Sequence, residues 1–138
     1  MQQLIDRLHA RLDAYSDLIQ QIEGEQLHQK LDVPKNKSLA EHLWCVVGAR
    51  ESYAQAIEQG SWSGFACSMQ SFEIEDFRTK LGESADRVLS VISEISEWDE
   101  ERSSLLVTLA EHEVMHEGQI IRHMYGLGYE LPSSWVWA

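Results

Sequence analysis

Residues 105–123 read LLVTLAEHEVMHEGQIIRH, and this stretch carries the clearest helical pattern in the chain. Apolar residues and histidines recur in it at three- and four-residue steps, which is the spacing of one face of an α-helix. That face contains Leu105, Leu109, His112, His116, Gln119 or Ile120, and His123. We therefore predict an amphipathic helix over residues 103–125, because Gly126 and Gly128 then interrupt the pattern.

The same periodicity predicts three more helices. They lie at residues 2–22, 38–60 and 72–95. Ser38 and Glu41 have the capping-box spacing, in which the two side chains satisfy free backbone N–H groups at a helix start. Four amphipathic helices bury their apolar faces only against one another, so we predict an all-α fold, a four-helix bundle, as a single domain over residues 1–138.

Composition and charge exclude several classes of protein. The chain has 138 residues, 43% of them hydrophobic, and a net charge of −12. Binding to nucleic acid or to an anionic membrane requires a basic surface, so neither is predicted as a partner. No apolar stretch is long enough to cross a bilayer, and the first residues lack the apolar region of a secretory signal. We expect a cytoplasmic protein in which Cys45 and Cys67 are reduced thiols.

Three histidines have the spacing of a metal site. His112 and His116 are four residues apart on the predicted helix face, which lets both imidazoles reach one ion. His42 interrupts the apolar face of the second helix, and a bundle can bring it opposite that pair. Three imidazoles leave a coordination position open for water or substrate. The alternative for each is a hydrogen-bonded core histidine. The carboxylates near enough in sequence to orient such ligands are Glu41, Glu51 and Glu111.

The remaining candidates have simpler interpretations. His9 and His28 are expected to be surface or packing residues. His123 is expected to be a cation near a helix C-terminus, with pocket lining as the alternative. Cys45 follows His42 by three residues, which places both on one helix face, although contact with the site is the less favoured interpretation.

Two other motifs are formally present. Residues 112–116 match H-E-x-x-H, the zinc-protease pattern in which Glu113 would be the general base. A protease is not favoured, because no strand-rich part is available to bind a peptide backbone. Residues 25–28 and 113–116 match E-x-x-H, the ligand pair of di-iron bundles. Glu25 lies in a predicted connection and two further inward glutamates are lacking, so a di-iron site is not favoured either.

Residues 109–120, LAEHEVMHEGQI, resemble the helix-four signature of the DinB/YfiT-like family. That signature is a histidine, three residues, a second histidine, and then x-Gly-Gln with an apolar residue. The capped start of the second helix, SLAEHL at 38–43, and the Gly-Leu-Gly at 126–128 are also similar to the family pattern. The resemblance implies a left-handed four-helix bundle with up-down-down-up topology, often a homodimer.

The resemblance also implies a function. His42, His112 and His116 would hold a divalent transition metal, with Zn or Ni expected first. Some members use the metal to activate a low-molecular-weight thiol, as S-transferases or thiol-dependent isomerases, and many others have no known reaction and are labelled metal-dependent hydrolases. The expected partner is therefore a small-molecule substrate such as a low-molecular-weight thiol. No basic pocket motif for an anionic thiol is visible in the sequence, and no catalytic residue is assigned.

Two hypotheses that involve no catalysis also remain. One is a metal- or small-ligand-binding dimeric module, favoured by a Trp-rich loop and C-terminal tail, because aromatic residues are enriched at interfaces and in ligand pockets. The aromatics concerned are Trp62, Trp135 and Trp137. Their alternative role is to seal the ends of the bundle. The other reading is a purely structural metal, which ranks lower because a core of this size should fold without one.

Overall fold

The structure, a computed structural model that describes residues 1–138, contains five helices and no strand. In chain order they are α1 (Gln2–Gln21), α2 (Gly24–His28), α3 (Leu39–Gln59), α4 (Ile74–Glu94) and α5 (Glu100–Gly126). The prediction of an all-α chain is confirmed, and the four long helices match the four predicted ones. None of the helices combines the length and apolar character that crossing a bilayer requires.

The four long helices pack against one another in a way that is compatible with a helical bundle. α3 packs against both α4 and α5, and α1 contacts the same two helices. Two groups of buried apolar side chains fill the interior. One includes Tyr15, Leu43 and Phe77, and the other includes Leu12 and Ile57. Burying a side chain of this size contributes about 1.5–3 kcal/mol, so the two groups account for most of the driving force for folding.

The start of α3 is fixed by the predicted capping box. The Ser38 hydroxyl accepts a hydrogen bond from the Glu41 backbone N–H, and the Glu41 carboxylate accepts one from the Ser38 backbone N–H. α3 ends at Gly60, whose φ of 76° lies in the left-handed region that favours glycine. The capping box orders the first turn of α3, directly before His42.

Two helix boundaries differ from the prediction. α5 begins at Glu100 rather than near residue 103, because Asp99 caps it by accepting from the Arg102 backbone N–H. Gly24 begins the short helix α2, in the segment after residue 22 that was predicted to be a connection. The Glu23 side chain forms a capping box with Gln26 there.

The C-terminal segment folds back onto the bundle. Trp135 is buried, donates from its indole N–H to the Ala14 backbone oxygen across 2.8 Å, and meets the Tyr15 ring edge-on. Trp62 and Trp137 remain about four-tenths exposed. The prediction that aromatic residues seal the bundle is therefore confirmed for Trp135 alone.

Candidate metal centre

The three predicted histidines come together on one side of the bundle. His42 on α3 and His116 on α5 are both buried, and their Nδ1 atoms lie 3.1 Å apart. The ring of His112, one turn earlier on α5, lies 4.5 Å from the ring of His116. These contacts join helices that are distant in sequence, as the bundle prediction requires.

The histidines line a cleft of about 900 Å³ between the start of α3, the second half of α5 and the loop that precedes α3. His112 is half-buried and the other two expose only a few per cent of their surface. Cys45 also lines this cleft, and its Sγ lies 3.8 Å from Lys37 Nζ. The cleft is large enough for a small molecule to reach the imidazoles.

The imidazoles are held in the neutral form, which is the form that binds metals. Burial, with a smaller effect of the Lys37 charge, lowers the pKa of His42 to about 4. Burial, followed by the neighbouring His112 and His42, lowers the pKa of His116 to about 3. Burial also lowers the pKa of His112. At pH 7 no proton has to leave before these nitrogens accept a cation.

The side chains fit a divalent transition metal in chemistry, and one pair of nitrogens has a spacing close to that of two metal ligands. Two nitrogens that bind one tetrahedral ion at about 2.0–2.1 Å are about 3.4 Å apart, close to the observed distance between the Nδ1 atoms of His42 and His116. His112 Nδ1 is buried without a hydrogen-bond partner. As they stand, however, no three histidine, cysteine, aspartate or glutamate side chains are grouped to hold an ion. The 3.1 Å contact is also compatible with one imidazole donating a hydrogen bond to the other.

A fourth histidine faces the same cleft. His123 is 1% exposed, lines the cleft, and its ring lies 6.4 Å from that of His42. Neither of its ring nitrogens has a hydrogen-bond partner. Burial lowers the pKa of His123, and the Gln29 backbone opposes this shift. The expectation that His123 is a helix-end cation is wrong, because burial lowers its pKa and the pocket-lining alternative holds.

Behind the histidines lies a buried ion pair that the sequence did not predict. Arg50 on α3 donates from Nε and Nη2 to the two carboxylate oxygens of Glu113, across 2.9 and 2.8 Å. Neither side chain exposes any surface. The Tyr15 ring packs 4.9 Å from the Arg50 guanidinium, and its hydroxyl donates to the Glu113 backbone oxygen. Because Arg50 occupies both oxygens of Glu113, this carboxylate is not placed to act as the general base of a zinc protease.

A second carboxylate on α5 is buried beside the site. Glu117 forms an ion pair with Arg11 of α1, and its Oε1 atom is buried without a partner. Burial raises the pKa of Glu117 to about 7 although Arg11 lowers it. Arg11 in turn lies 4.6 Å from the centre of the Trp137 ring. This group therefore ties the C-terminal segment to α1 and α5.

The other predicted residues lie away from the cleft. His9, His28 and Glu25 are exposed, so the expected surface positions of the two histidines are confirmed. The E-x-x-H motif at residues 25–28 therefore does not point into the bundle, as a di-iron ligand pair would have to do. None of the three carboxylates considered as orienting groups reaches a histidine ring. Glu41 pairs with Lys30 and caps α3, Glu51 accepts from Ser68, and Glu111 is exposed.

No protein-family model matches this chain, and no curated protein matches it.

Proposed function

We propose that the chain binds one divalent transition metal, Zn or Ni, through His42, His112 and His116. The proposal is supported above all by the three imidazoles that the bundle brings to one cleft from α3 and α5. Metal binding would require side-chain rotations that open the contact between His42 and His116 and turn the three rings toward a common point. Imidazole suits both metals, and which one is bound in the cell depends on supply.

We further propose that the protein is a DinB-like metal-dependent enzyme, a left-handed bundle of up-down-down-up topology that acts as a thiol S-transferase or a hydrolase. A bound divalent ion would act as a Lewis acid and lower the pKa of a coordinated thiol or water. The chain would supply the three ligands and a cleft that takes the substrate. His123 is the only further buried titratable side chain that lines the cleft, and it is placed to exchange a proton with a bound molecule.

The Arg50–Glu113 pair supports this proposal as a positioning element. Glu113 is directly next to His112, and its carboxylate is fixed at both oxygens by Arg50. The pair fixes the rotation of α5 about its own axis, and this rotation sets the directions of His112 and His116. A rigid support of this kind reduces the cost of ordering ligands when an ion binds.

The metal is tested by elemental analysis of protein that is purified without a tag and without added metal. We expect about one equivalent of Zn or Ni per chain, as in other three-histidine sites. His42→Ala, His112→Ala and His116→Ala should each lose it, while the exposed controls His9→Ala and His28→Ala should retain it. Absence of metal from the parent, before and after loading with Zn or Ni, would refute the site.

The reaction is tested separately on the metal-loaded parent. A screen would combine low-molecular-weight thiols with electrophiles, and would include ester and amide hydrolysis, with His116→Ala as the inactive control. Turnover that requires both the metal and His116 would support the enzyme. A full metal complement with no turnover in either screen would instead favour the non-catalytic metal- or ligand-binding module.

A further inference from the structure

The positive charges that have no carboxylate partner are concentrated at the histidine cleft. Of the 11 lysines and arginines in the chain, seven form ion pairs with a glutamate or aspartate. The others are Arg7, Lys35, Lys37 and Arg122. Lys35, Lys37 and Arg122 all line the histidine cleft, and we refer to these three as the cationic rim.

The cleft is also free of acidic side chains. The chain has 23 aspartates and glutamates, yet none of them is among the residues that line the cleft. In a protein with a net charge of −12, a cleft lined by three cations and no carboxylate has the opposite sign to the rest of the surface. Local charge of one sign in a concave site attracts ligands of the other sign.

The rim reaches the cleft from two sides. Lys35 and Lys37 belong to the loop between α2 and α3, and Arg122 lies on α5 beyond His116. Lys37 Nζ lies 3.8 Å from the Sγ atom of Cys45, which lines the same cleft and lies three residues after His42 on α3. A molecule in the cleft is therefore exposed to the rim and to the imidazoles together.

The loop between α2 and α3 has a defined backbone conformation at the two lysines of the rim. Asn36 Oδ1 accepts a hydrogen bond from the Leu31 backbone N–H across 2.8 Å, which closes a turn that contains Lys35 and ends directly before Lys37. Within this turn Lys35 has a φ of 61°, and it is the only non-glycine residue of the chain with a positive φ. A lysine at such a position carries a conformational cost that glycine or asparagine would avoid, which is consistent with a use for its charge.

We propose that the cleft binds an anionic small molecule, whose carboxylate or phosphate group is held by Lys35, Lys37 and Arg122. The inference rests on the proposed metal site for the end of the molecule that faces His42 and His116. Recognition of the anion depends on the cations alone. The proposal limits the substrates of the proposed enzyme to acids. Neutral or cationic compounds of the same size should not bind in the cleft.

The test is a titration of the ¹⁵N-labelled full chain followed by amide chemical shifts at constant ionic strength. The probes are succinate and inorganic phosphate, with succinamide and putrescine as neutral and cationic compounds of the same chain length as succinate. We expect saturable shifts at cleft amides, including Gln119, with one or both anions only. Saturation by succinamide equal to that by succinate, or no saturable shift with either anion, would overturn the proposal.

Matched variants locate the binding. The double variant Lys37→Gln, Arg122→Gln should weaken anion binding at least about fivefold, because each exposed charge contributes modestly. Arg7→Gln removes the one unpaired lysine or arginine outside the cleft and should leave the affinity unchanged. Equal affinity of the double variant and the parent would refute a role for the rim.

The titration is repeated after treatment with EDTA, so that failure of this proposal and failure of the metal proposal are distinguishable. Anion binding that persists without metal and depends on Lys37 and Arg122 would support the rim even if the metal analysis found none. Anion binding that disappears with the metal and ignores both substitutions would place the anion on the metal instead. That result would overturn the rim while supporting the metal site.

Discussion

Arg50 binds both carboxylate oxygens of Glu113 from the facing helix, at 2.9 and 2.8 Å, and the two side chains are completely buried. Arg50 also donates to the Leu81 backbone oxygen of α4, so the guanidinium connects three helices. An ion pair in this position gains strong hydrogen bonds but loses the hydration of both charges. Its net effect on stability therefore has to be measured by removing one or both partners.

Removal of one partner should be strongly destabilising. Arg50→Ala leaves the Glu113 carboxylate buried without a counter-charge, so we expect the free energy of unfolding to fall by about 3–5 kcal/mol in urea denaturation. Arg87→Ala is the control, because it breaks an exposed pair with Glu58 and should cost at most about 1 kcal/mol. A loss below 1 kcal/mol for Arg50→Ala would show that the Glu113 carboxylate does not depend on Arg50, because water takes the place of the guanidinium.

Replacement of both partners should recover most of that loss. The double variant Arg50→Met, Glu113→Leu fills a similar volume with apolar groups and leaves no buried charge. We expect its free energy of unfolding to lie within about 2 kcal/mol of the parent, measured in the same urea experiment. Metal content of this variant reports on positioning: if stability is recovered but metal is lost, the pair orients His112; if both are retained, the pair has no such role.

The sequence predicted the helices where apolar periodicity and capping agree. The boundaries of α3 follow from Ser38, Glu41 and Gly60, which act through local hydrogen bonds and backbone conformation. The start of α5 differs from the prediction because its first turn shows no apolar periodicity before Leu105. Its cap is Asp99, but Ser103 and Ser104 are also residues that favour the N-cap position, so the sequence alone does not choose among them.

Long-range pairings account for the parts of the site that the sequence did not predict. In the sequence Glu113 is noticeable only as part of the H-E-x-x-H pattern, because its ion-pair partner Arg50 lies 63 positions away. The cationic rim likewise combines a loop before α3 with Arg122 on α5, so no local basic motif exists to be recognised. The meeting of the three histidines in one cleft was predictable, because two of them share one helix face and the third interrupts an apolar stripe.

The lowered pKa values of the histidines predict how stability depends on pH in the metal-free protein. The unfolded state binds protons near the ordinary pKa of 6.5, whereas folded His42 and His116 do so only near 4 and 3. Between pH 6.5 and 4 the unfolded state therefore holds more protons, and stability falls as the pH falls. Each histidine contributes a slope that approaches about 1.4 kcal/mol per pH unit.

Glu117 acts in the opposite direction over part of this range. Its raised pKa of about 7 means that the folded state takes up a proton between pH 7 and its ordinary 4.5, which adds stability as the pH falls. We expect a net loss, because two histidines oppose one carboxyl. Urea unfolding at pH 7, 5.5 and 4.5 checks this, and His42→Gln should flatten the profile. A profile of His42→Gln parallel to that of the parent would contradict the lowered pKa.

Chelation should lower thermal stability without unfolding the protein. A metal present at 100 times its dissociation constant stabilises the native state by about 2.7 kcal/mol, which corresponds to several degrees in Tm. The two buried apolar groups do not depend on the site, so the EDTA-treated chain should still unfold cooperatively. Calorimetry with and without EDTA measures the difference, with His116→Ala as the control that should not respond. Complete unfolding by EDTA would favour the structural metal.

Substitution of Lys35 separates the effect of its strained backbone on stability from the effect of its charge on anion binding. Lys35→Gly relieves the left-handed backbone at a φ of 61°, worth about 1–2 kcal/mol, but it adds about 0.5–1 kcal/mol of unfolded-state entropy. Stability in urea should therefore be unchanged or about 1 kcal/mol higher, while succinate binding weakens because one charge is lost. Lys37→Gly has no strain to relieve and should lose both stability and affinity. If Lys35→Gly were clearly less stable than the parent, the lysine would be retained for its own packing and not for an anion.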